Sequence, residues 1–304
     1  MTAHTTATAT VGAHPRRWLA LALLGIAQFM LILDVTVVAV ALPQMSIDLG
    51  LSREAVTWVV AAYTLAFGGL MLLGGRSADL VGSKPIVYGG LFAFTAGSLV
   101  AGLADNGTIM LAGRVIQGVG AAMLSPAALS VVVRLFVGDE RSRALGIWSA
   151  LGGGGAAVGV LLGGLITAGP GWPWVFFINI PIGLIVLFGL LRVLPPLPPA
   201  VGQGASLDAL GALLATSATG SAIYALTIAG EDGWTSVSTL IGAGAAVVLY
   251  LLFGWRQRTA KFPLMDLGLL TRRPVGAGVF VIMIATALMV AVFFLGTFYF
   301  QQHA

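Results

Sequence analysis

Trp18-Leu-Ala-Leu-Ala-Leu-Leu-Gly-Ile-Ala-Gln-Phe-Met-Leu-Ile-Leu-Asp-Val-Thr-Val-Val-Ala-Val-Ala41 carries a single charge, Asp34, in a run that is otherwise almost wholly apolar. A helix needs about 20 such residues to cross the roughly 30 Å hydrocarbon core of a bilayer, so this stretch is long enough to span. Comparable runs follow near residues 55–75, 86–104, 108–133, 144–167, 175–193, 207–229, 237–255 and 275–300, which makes about nine spans. Each is too long for a barrel strand. Backbone amides in lipid must be satisfied within the segment, so the expected fold is an all-α polytopic membrane bundle. Composition agrees: of 304 residues 58% are hydrophobic and 9% charged, and the mean hydropathy is +1.01. A soluble surface carries roughly 25% charged residues. The basic pair Arg16-Arg17 and the small residues Ala39-Val40-Ala41 also fit a signal peptide. An uncleaved first helix is the simpler reading, because Asp34 interrupts the run and further spans follow.

The same counts exclude several kinds of chemistry. The net charge of +4 is spread too thinly to make a nucleic-acid-binding face. With no cysteine, and histidine only at His4, His14 and His303, neither a thiol nucleophile nor a metal cluster is expected. Lys84 and Lys261 lie in no phosphate-cradling loop. No catalytic residue, metal or cofactor is therefore assigned, and the chain is not expected to be an enzyme.

Basic residues near span ends set orientation. Arg16, Arg17, Arg76, Lys84, Arg134 and Arg141 lie on one side, with the basic cluster Arg256–Arg273 between spans eight and nine, whereas Arg53 stands alone on the other. This places the N-terminus in the cytoplasm of a multi-pass cell-membrane protein. Residues 1–17 read as a disordered cytoplasmic tail and 18–193 as a six-helix bundle. Residues 194–206, rich in Pro, form a cytoplasmic linker, 207–255 two further spans, and 256–304 a cytoplasmic loop with one more helix. A ninth helix without an obvious partner suggests a truncated chain.

Charges within a membrane are costly and mark function or a structural pair. Asp34 lies 16 residues past Trp18, about 24 Å along an outward-running helix, and Arg114 lies about 9 Å into a helix entering from outside. Their depths are similar. An acid and a base in one layer can form a pair whose strength changes with protonation. The alternatives are a static ion pair, or an Asp34 hydrated near the interface. Gln117, one turn from Arg114, and Gln28, inward of Asp34, extend a polar track or serve as interhelical glue. Gly155, Gly159 and Gly163 recur at i, i+4 and i+8 and strip one helix face, which suits sliding or plain close packing. Pro126 in the fourth span is a candidate kink.

These residues also carry a family resemblance. Leu33-Asp-Val-Thr-Val-Val-Ala-Val-Ala-Leu-Pro43 resembles the first-helix signature of the fourteen-helix drug:proton antiporters of the major facilitator superfamily, with Ala39 where Asn is usual. Gly75-Arg-Ser-Ala-Asp-Leu-Val-Gly-Ser-Lys84 resembles the superfamily's loop motif, matching at Gly75, Asp79, Gly82 and Lys84 with Ser83 in place of a usual arginine. Leu111-Ala-Gly-Arg-Val-Ile-Gln-Gly-Val-Gly-Ala-Ala122 resembles the fourth-helix motif whose arginine is linked to proton transfer. Gly155-Ala-Ala-Val-Gly-Val-Leu-Leu-Gly-Gly164 resembles the antiporter motif of helix five, with Val160 where its hallmark proline stands, and Trp172-Pro-Trp-Val-Phe-Phe-Ile-Asn-Ile-Pro-Ile-Gly183 completes the pattern.

The resemblance implies a proton-coupled exporter of drugs, antibiotics or similar small amphipathic substrates. Protons and the lipid bilayer are its other partners. Asp34 would bind the proton or a cationic drug, with Arg114 and Gln117 beside it. Gly75, Asp79, Gly82 and Lys84 would form a cytoplasmic gating loop, with Asp79 and Lys84 as a lock, and Gly155, Gly159, Gly163 and Gly164 a gating or packing face. The chain would supply the first six-helix half, two inserted helices and one helix of the second half. The missing C-terminal helices, or a partner chain, would be needed to close the cavity. Uptake or lipid and metabolite export on the same fold, and a non-transporting fragment, are the other readings.

Overall fold

The computed structural model describes residues 14–199, 207–269, 271–285 and 287–288. Its elements are α1 (Arg17–Asp48), α2 (Arg53–Val81), α3 (Ser83–Gly102), α4 (Gly107–Leu135), α5 (Gly138–Ala168), α6 (Pro173–Phe177), α7 (Asn179–Val193), α8 (Ala209–Asp232), α9 (Val237–Thr259) and α10 (Arg273–Ala285). A single 3-10 turn, Leu267–Leu269, is the other regular element among the described residues. Counting Pro173–Val193 as one span, eight helices are long and apolar enough to cross a membrane. They coincide with the first eight apolar runs, and most extend beyond them at their ends. The ninth run begins as α10, and 289–304 lie outside the described residues, as do 1–13 and 200–206.

Local chemistry sets the helix ends. Ser52, Asn106, Asp208 and Ser236 each turn a side-chain oxygen onto a backbone N–H of the first turn of α2, α4, α8 and α9, satisfying one of the donors a helix start leaves open. Pro173 stands in the first turn of α6, where its missing N–H costs nothing. Between α2 and α3 the connection is one residue, Gly82, at φ +104, a conformation that L side chains rarely adopt. Pro126 leaves α4 continuous from Gly107 to Leu135.

The tightest seam joins α3 to α4. A Cβ on Gly90 would lie 2.7 Å from Leu124 N, one on Gly97 2.6 Å from Gln117 N, and one on Gly113 2.7 Å from Ala101 N. Backbone meets backbone there. The glycine face of α5 lies along α1: a Cβ on Gly155 would sit 3.1 Å from Ile32 Cγ2 and one on Gly163 3.1 Å from Val37 Cα, while Gly159 faces Thr36. Gly164, one residue on, has open space at its Cβ position and is exposed. It therefore does not belong to the packing face expected of it, because a step of one residue turns a helix by about 100°.

Helices α8 and α9 form a hairpin laid on α2, where Thr216 Oγ1 donates to Gly69 O at 3.0 Å. Its base is held by buried Asp208, which accepts from Arg256 Nε at 3.0 Å and Gln257 Nε2 at 3.1 Å. The six-helix core splits into two apolar clusters, one around Leu24, Leu31, Phe94 and Leu124, the other around Leu33, Val37, Met110 and Phe176. A polar layer separates them.

Candidate functional site

That layer contains both intramembrane charges. Asp34 on α1 and Arg114 on α4 are each 0% exposed, and Arg114 Nη1 donates to Asp34 Oδ2 at 2.5 Å. The ion pair anticipated from depth alone is formed. A charge-assisted bond is roughly twice as strong as one between neutral groups.

Gln117 completes a ring with them. Its Oε1 accepts from Arg114 Nη1 at 2.8 Å and its Nε2 donates to Asp34 Oδ1 at 2.9 Å. The remaining members lay outside the sequence-based assignment. Ser98 on α3 accepts from Gln117 Nε2 at 2.8 Å while donating to Phe94 O at 2.9 Å. Asn179, the first residue of α7, directs Nδ2 at Asp34 Oδ1 (3.2 Å) and Ser98 Oγ (3.3 Å). From α2, Val59 O accepts from Arg114 Nε at 3.0 Å, and the Tyr63 ring lies 4.4 Å from the guanidinium carbon, a cation–π contact. Residues of α1, α2, α4 and α7 thus meet on one carboxylate and one guanidinium, and α3 joins them through Gln117 and Asn179.

Glycines make the meeting possible. With Gly97 beside Ser98, α3 comes close enough for the hydroxyl to reach Gln117. A Cβ on Gly118 would lie 2.7 Å from Tyr63 O, so its absence lets α2 bring Val59 and Tyr63 to Arg114. All three donors around Asp34 are N–H groups, the set that suits an ionised carboxylate. Buried pairs are held by such extra hydrogen bonds as much as by Coulomb attraction. Gln28 does not join them: its Oε1 is buried without a hydrogen-bond partner among the described residues.

The residues of the α2–α3 loop motif are arranged differently from the expected lock. Lys84 Nζ donates to Leu194 O at 2.7 Å, and among the described residues Asp79 makes no ion pair. Gly75 lies against Pro126, its Cβ position 3.6 Å from the proline Cβ. Gly82 faces Leu197 O, 3.0 Å from where a Cβ would stand. Leu194 and Leu197 are buried, and Arg134 Nη2 donates to Pro198 O at 2.8 Å. Residues 194–199 are a strap seated on the α2–α3 turn, and the motif glycine and lysine are its seat. Where α1 and α5 begin, Arg17 holds Glu140 through two 2.9 Å bonds. Among the described residues no cluster of His, Cys, Asp and Glu could hold a metal ion.

Comparison with known proteins places this architecture. The profile of the Major Facilitator Superfamily matches residues 24–303. The puromycin resistance protein pur8 of Streptomyces alboniger is 40% identical over 292 residues, covering 95% of this chain and 57% of that protein. The methylenomycin A resistance protein of Bacillus subtilis is 39% identical, covering 82% of this chain and 53% of that protein. The cephamycin export protein CmcT of Amycolatopsis lactamdurans is 38% identical, with coverages of 93% and 59%. The chain thus spans a little over half the length of these curated relatives. A crystal structure of the peptide transporter POT in complex with sulfate superposes with a TM-score of 0.61 at 18% identity, covering 83% of this chain and 54% of that one, a likeness of fold.

Proposed function

The chain belongs to the major facilitator superfamily, and on that premise we propose that it forms the first half and inserted helices of a proton-driven exporter of small amphipathic molecules, antibiotics among them. It is a multi-pass membrane protein. We place it in the cell membrane with its N-terminus in the cytoplasm, as the distribution of basic residues indicates.

The observation that carries the proposal is the buried Asp34–Arg114 pair inside a bundle akin to antibiotic resistance proteins. Ionised, Asp34 ties α1 to α4 through Arg114 and Gln117, and to α7 through Asn179. A proton from outside removes the charge and weakens the tie, and α1 is then free to shift on the smooth face of α5. One charge moving across 100 mV is worth about 2.3 kcal/mol, comparable to the loss of a charge-assisted hydrogen bond. Loading and release of substrate follow the same shift. The strap at Lys84 holds the cytoplasmic end while the site changes. A closed cavity between two halves needs a second wall, from further helices of the same polypeptide or from a partner chain.

The test is ethidium efflux from energised cells making the protein from its full natural reading frame, with and without a protonophore. The proposal expects efflux that the protonophore abolishes and that Asp34→Asn abolishes while membrane insertion is kept. Undiminished efflux by Asp34→Asn overturns it.

A further inference from the structure

Asn179 is 0% exposed, and only half of its amide is used. Nδ2 donates to Asp34 and Ser98, whereas Oδ1 is buried and accepts no hydrogen bond among the described residues. Buried amide oxygens almost always have a partner, so an orphan beside a carboxylate calls for a reason.

The reason lies in what a protonated Asp34 would need. Its neighbours Arg114, Gln117 and Asn179 all donate to it. A carboxylic acid must instead donate its own O–H, and Arg114 has no acceptor to offer. Gln117 cannot turn cheaply. Its Oε1 is held by Arg114 at 2.8 Å, and its Nε2 has Ser98 as a second partner at 2.8 Å. Tyr63 spends its hydroxyl proton on Leu31 O at 3.3 Å. Asn179 can rotate its amide without giving up any bond made by its oxygen, and besides Asp34 its nitrogen gives up only the longer 3.3 Å bond to Ser98. It also stands just past the break in the sixth span at Ile178, between α6 and α7. The ionisable groups facing Asp34 are Arg114 from α4 and Tyr63 from α2. Helix α5 meets α1 here through Gly155 and Gly159, and α3 and α7 contribute the neutral Ser98 and Asn179.

We propose that Asn179 is a positioning residue for the transported proton, presenting Nδ2 to Asp34 when the carboxylate is ionised and Oδ1 when it is protonated. The proposal rests on the reading of Asp34 as the proton carrier. A proton leaves hydronium and bonds to Asp34 Oδ1, and the amide turns by half a revolution. The bond from Asn179 Nδ2 to Asp34 Oδ1 is thereby exchanged for one from the acid O–H to Asn179 Oδ1. Asp34 is hydrogen-bonded in both states, so uptake and loss of the proton leave no orphan at the acid.

The carbonyl of Asn179 tests this. The purified chain in lipid nanodiscs, carrying asparagine labelled with carbon-13 at the side-chain carbonyl, is titrated by infrared difference spectroscopy. The Asn179 oxygen has no hydrogen bond while Asp34 is ionised and would accept one from the acid O–H, so an asparagine carbonyl band should shift to lower wavenumber with the same midpoint as the Asp34 carboxyl band. That shift should be absent in Asp34→Asn and in Asn179→Leu. An asparagine band that stays silent while the Asp34 carboxyl band titrates makes Asn179 a donor only and overturns the proposal. A carboxyl band that does not titrate, or that persists in Asp34→Asn, instead removes the Asp34 reading and the proposal with it.

Discussion

Removing either member of the buried pair should not cost the same. In Asp34→Leu the Arg114 guanidinium stays buried with Val59 O, Gln117 Oε1 and the Tyr63 ring as its remaining partners. It cannot shed its proton, so the full penalty of an uncompensated buried charge applies, about 3–5 kcal/mol. In Arg114→Leu the stranded group is a carboxyl, which can escape by taking a proton. At pH 5.5, protonating an ordinary aspartate costs about 2 kcal/mol, and that caps the charge penalty. Asp34→Leu is therefore expected to be the more destabilising by about 1–3 kcal/mol. The double variant, which strands no charge, should cost less than the sum of the two by about 2 kcal/mol or more. The assay is reversible unfolding of the purified chain in mixed micelles at pH 5.5, by SDS titration followed through helical circular dichroism. Equal single-variant costs, or additive ones, would refute the picture of a desolvated, mutually compensating pair.

Further outcomes follow from the packing and from the contacts at the α2–α3 turn and the start of α5. Gly97→Ala puts a methyl 2.6 Å from Gln117 N, a backbone atom that cannot yield, and should lose about 1–3 kcal/mol in the same unfolding assay. Gly164→Ala meets open space on a helix and should gain up to about 1 kcal/mol. Lys84→Met removes the bond to Leu194 O and should raise the rate of thiol labelling at Leu197→Cys several-fold, while a rate unchanged from the Lys84 parent would argue against the strap. The side-chain hydrogen bond from Arg17 holds the Glu140 carboxyl below its ordinary value of 4.5, and the same bond raises Arg17 above its ordinary value. For the acid, folding is favoured by the pair above pH 4.5 and the gain is lost as pH falls through its lowered value. For the base, the gain is complete below its ordinary value and lost only in strong alkali, as pH rises through the raised value. Hydrogen-exchange protection at the start of α5, the observed rate taken against the intrinsic rate at each pH, should thus fall in acid in the parent, and Glu140→Gln should flatten that dependence.

The spans were legible because uncharged runs of that length have few other uses, and the helices outrun most of them because polar and charged residues continue the helix beyond the apolar run, as Asp139, Glu140, Arg141 and Arg143 do at the start of α5. Asp34 and Arg114 were legible for the same reason, as the two charges deep within the apolar runs of the first six spans, Arg192 standing at the end of its run. Ser98, Asn179 and Tyr63 were not. Neutral polar residues recur throughout these helices, and most, like Thr95 and Ser77, bond the carbonyl one turn back. Which of them turn toward a charge is decided by packing between helices far apart in sequence. The α5 glycines announce themselves at a four-residue spacing, whereas Gly90, Gly97, Gly113 and Gly120 are placed two turns apart on two helices and gain meaning only when α3 meets α4. Lys84 finds its partner 110 residues away, on a backbone carbonyl that no side-chain pattern marks.

The central claim is that Asp34 exchanges the proton that drives export. Proteoliposomes carrying the transporter from its full natural reading frame can be loaded with a substrate gradient and no pH gradient, with lumenal pH recorded. The account predicts proton movement opposite to the substrate, abolished by Asp34→Asn and retained in Gly164→Ala. Substrate-linked proton movement of undiminished size in Asp34→Asn would contradict it.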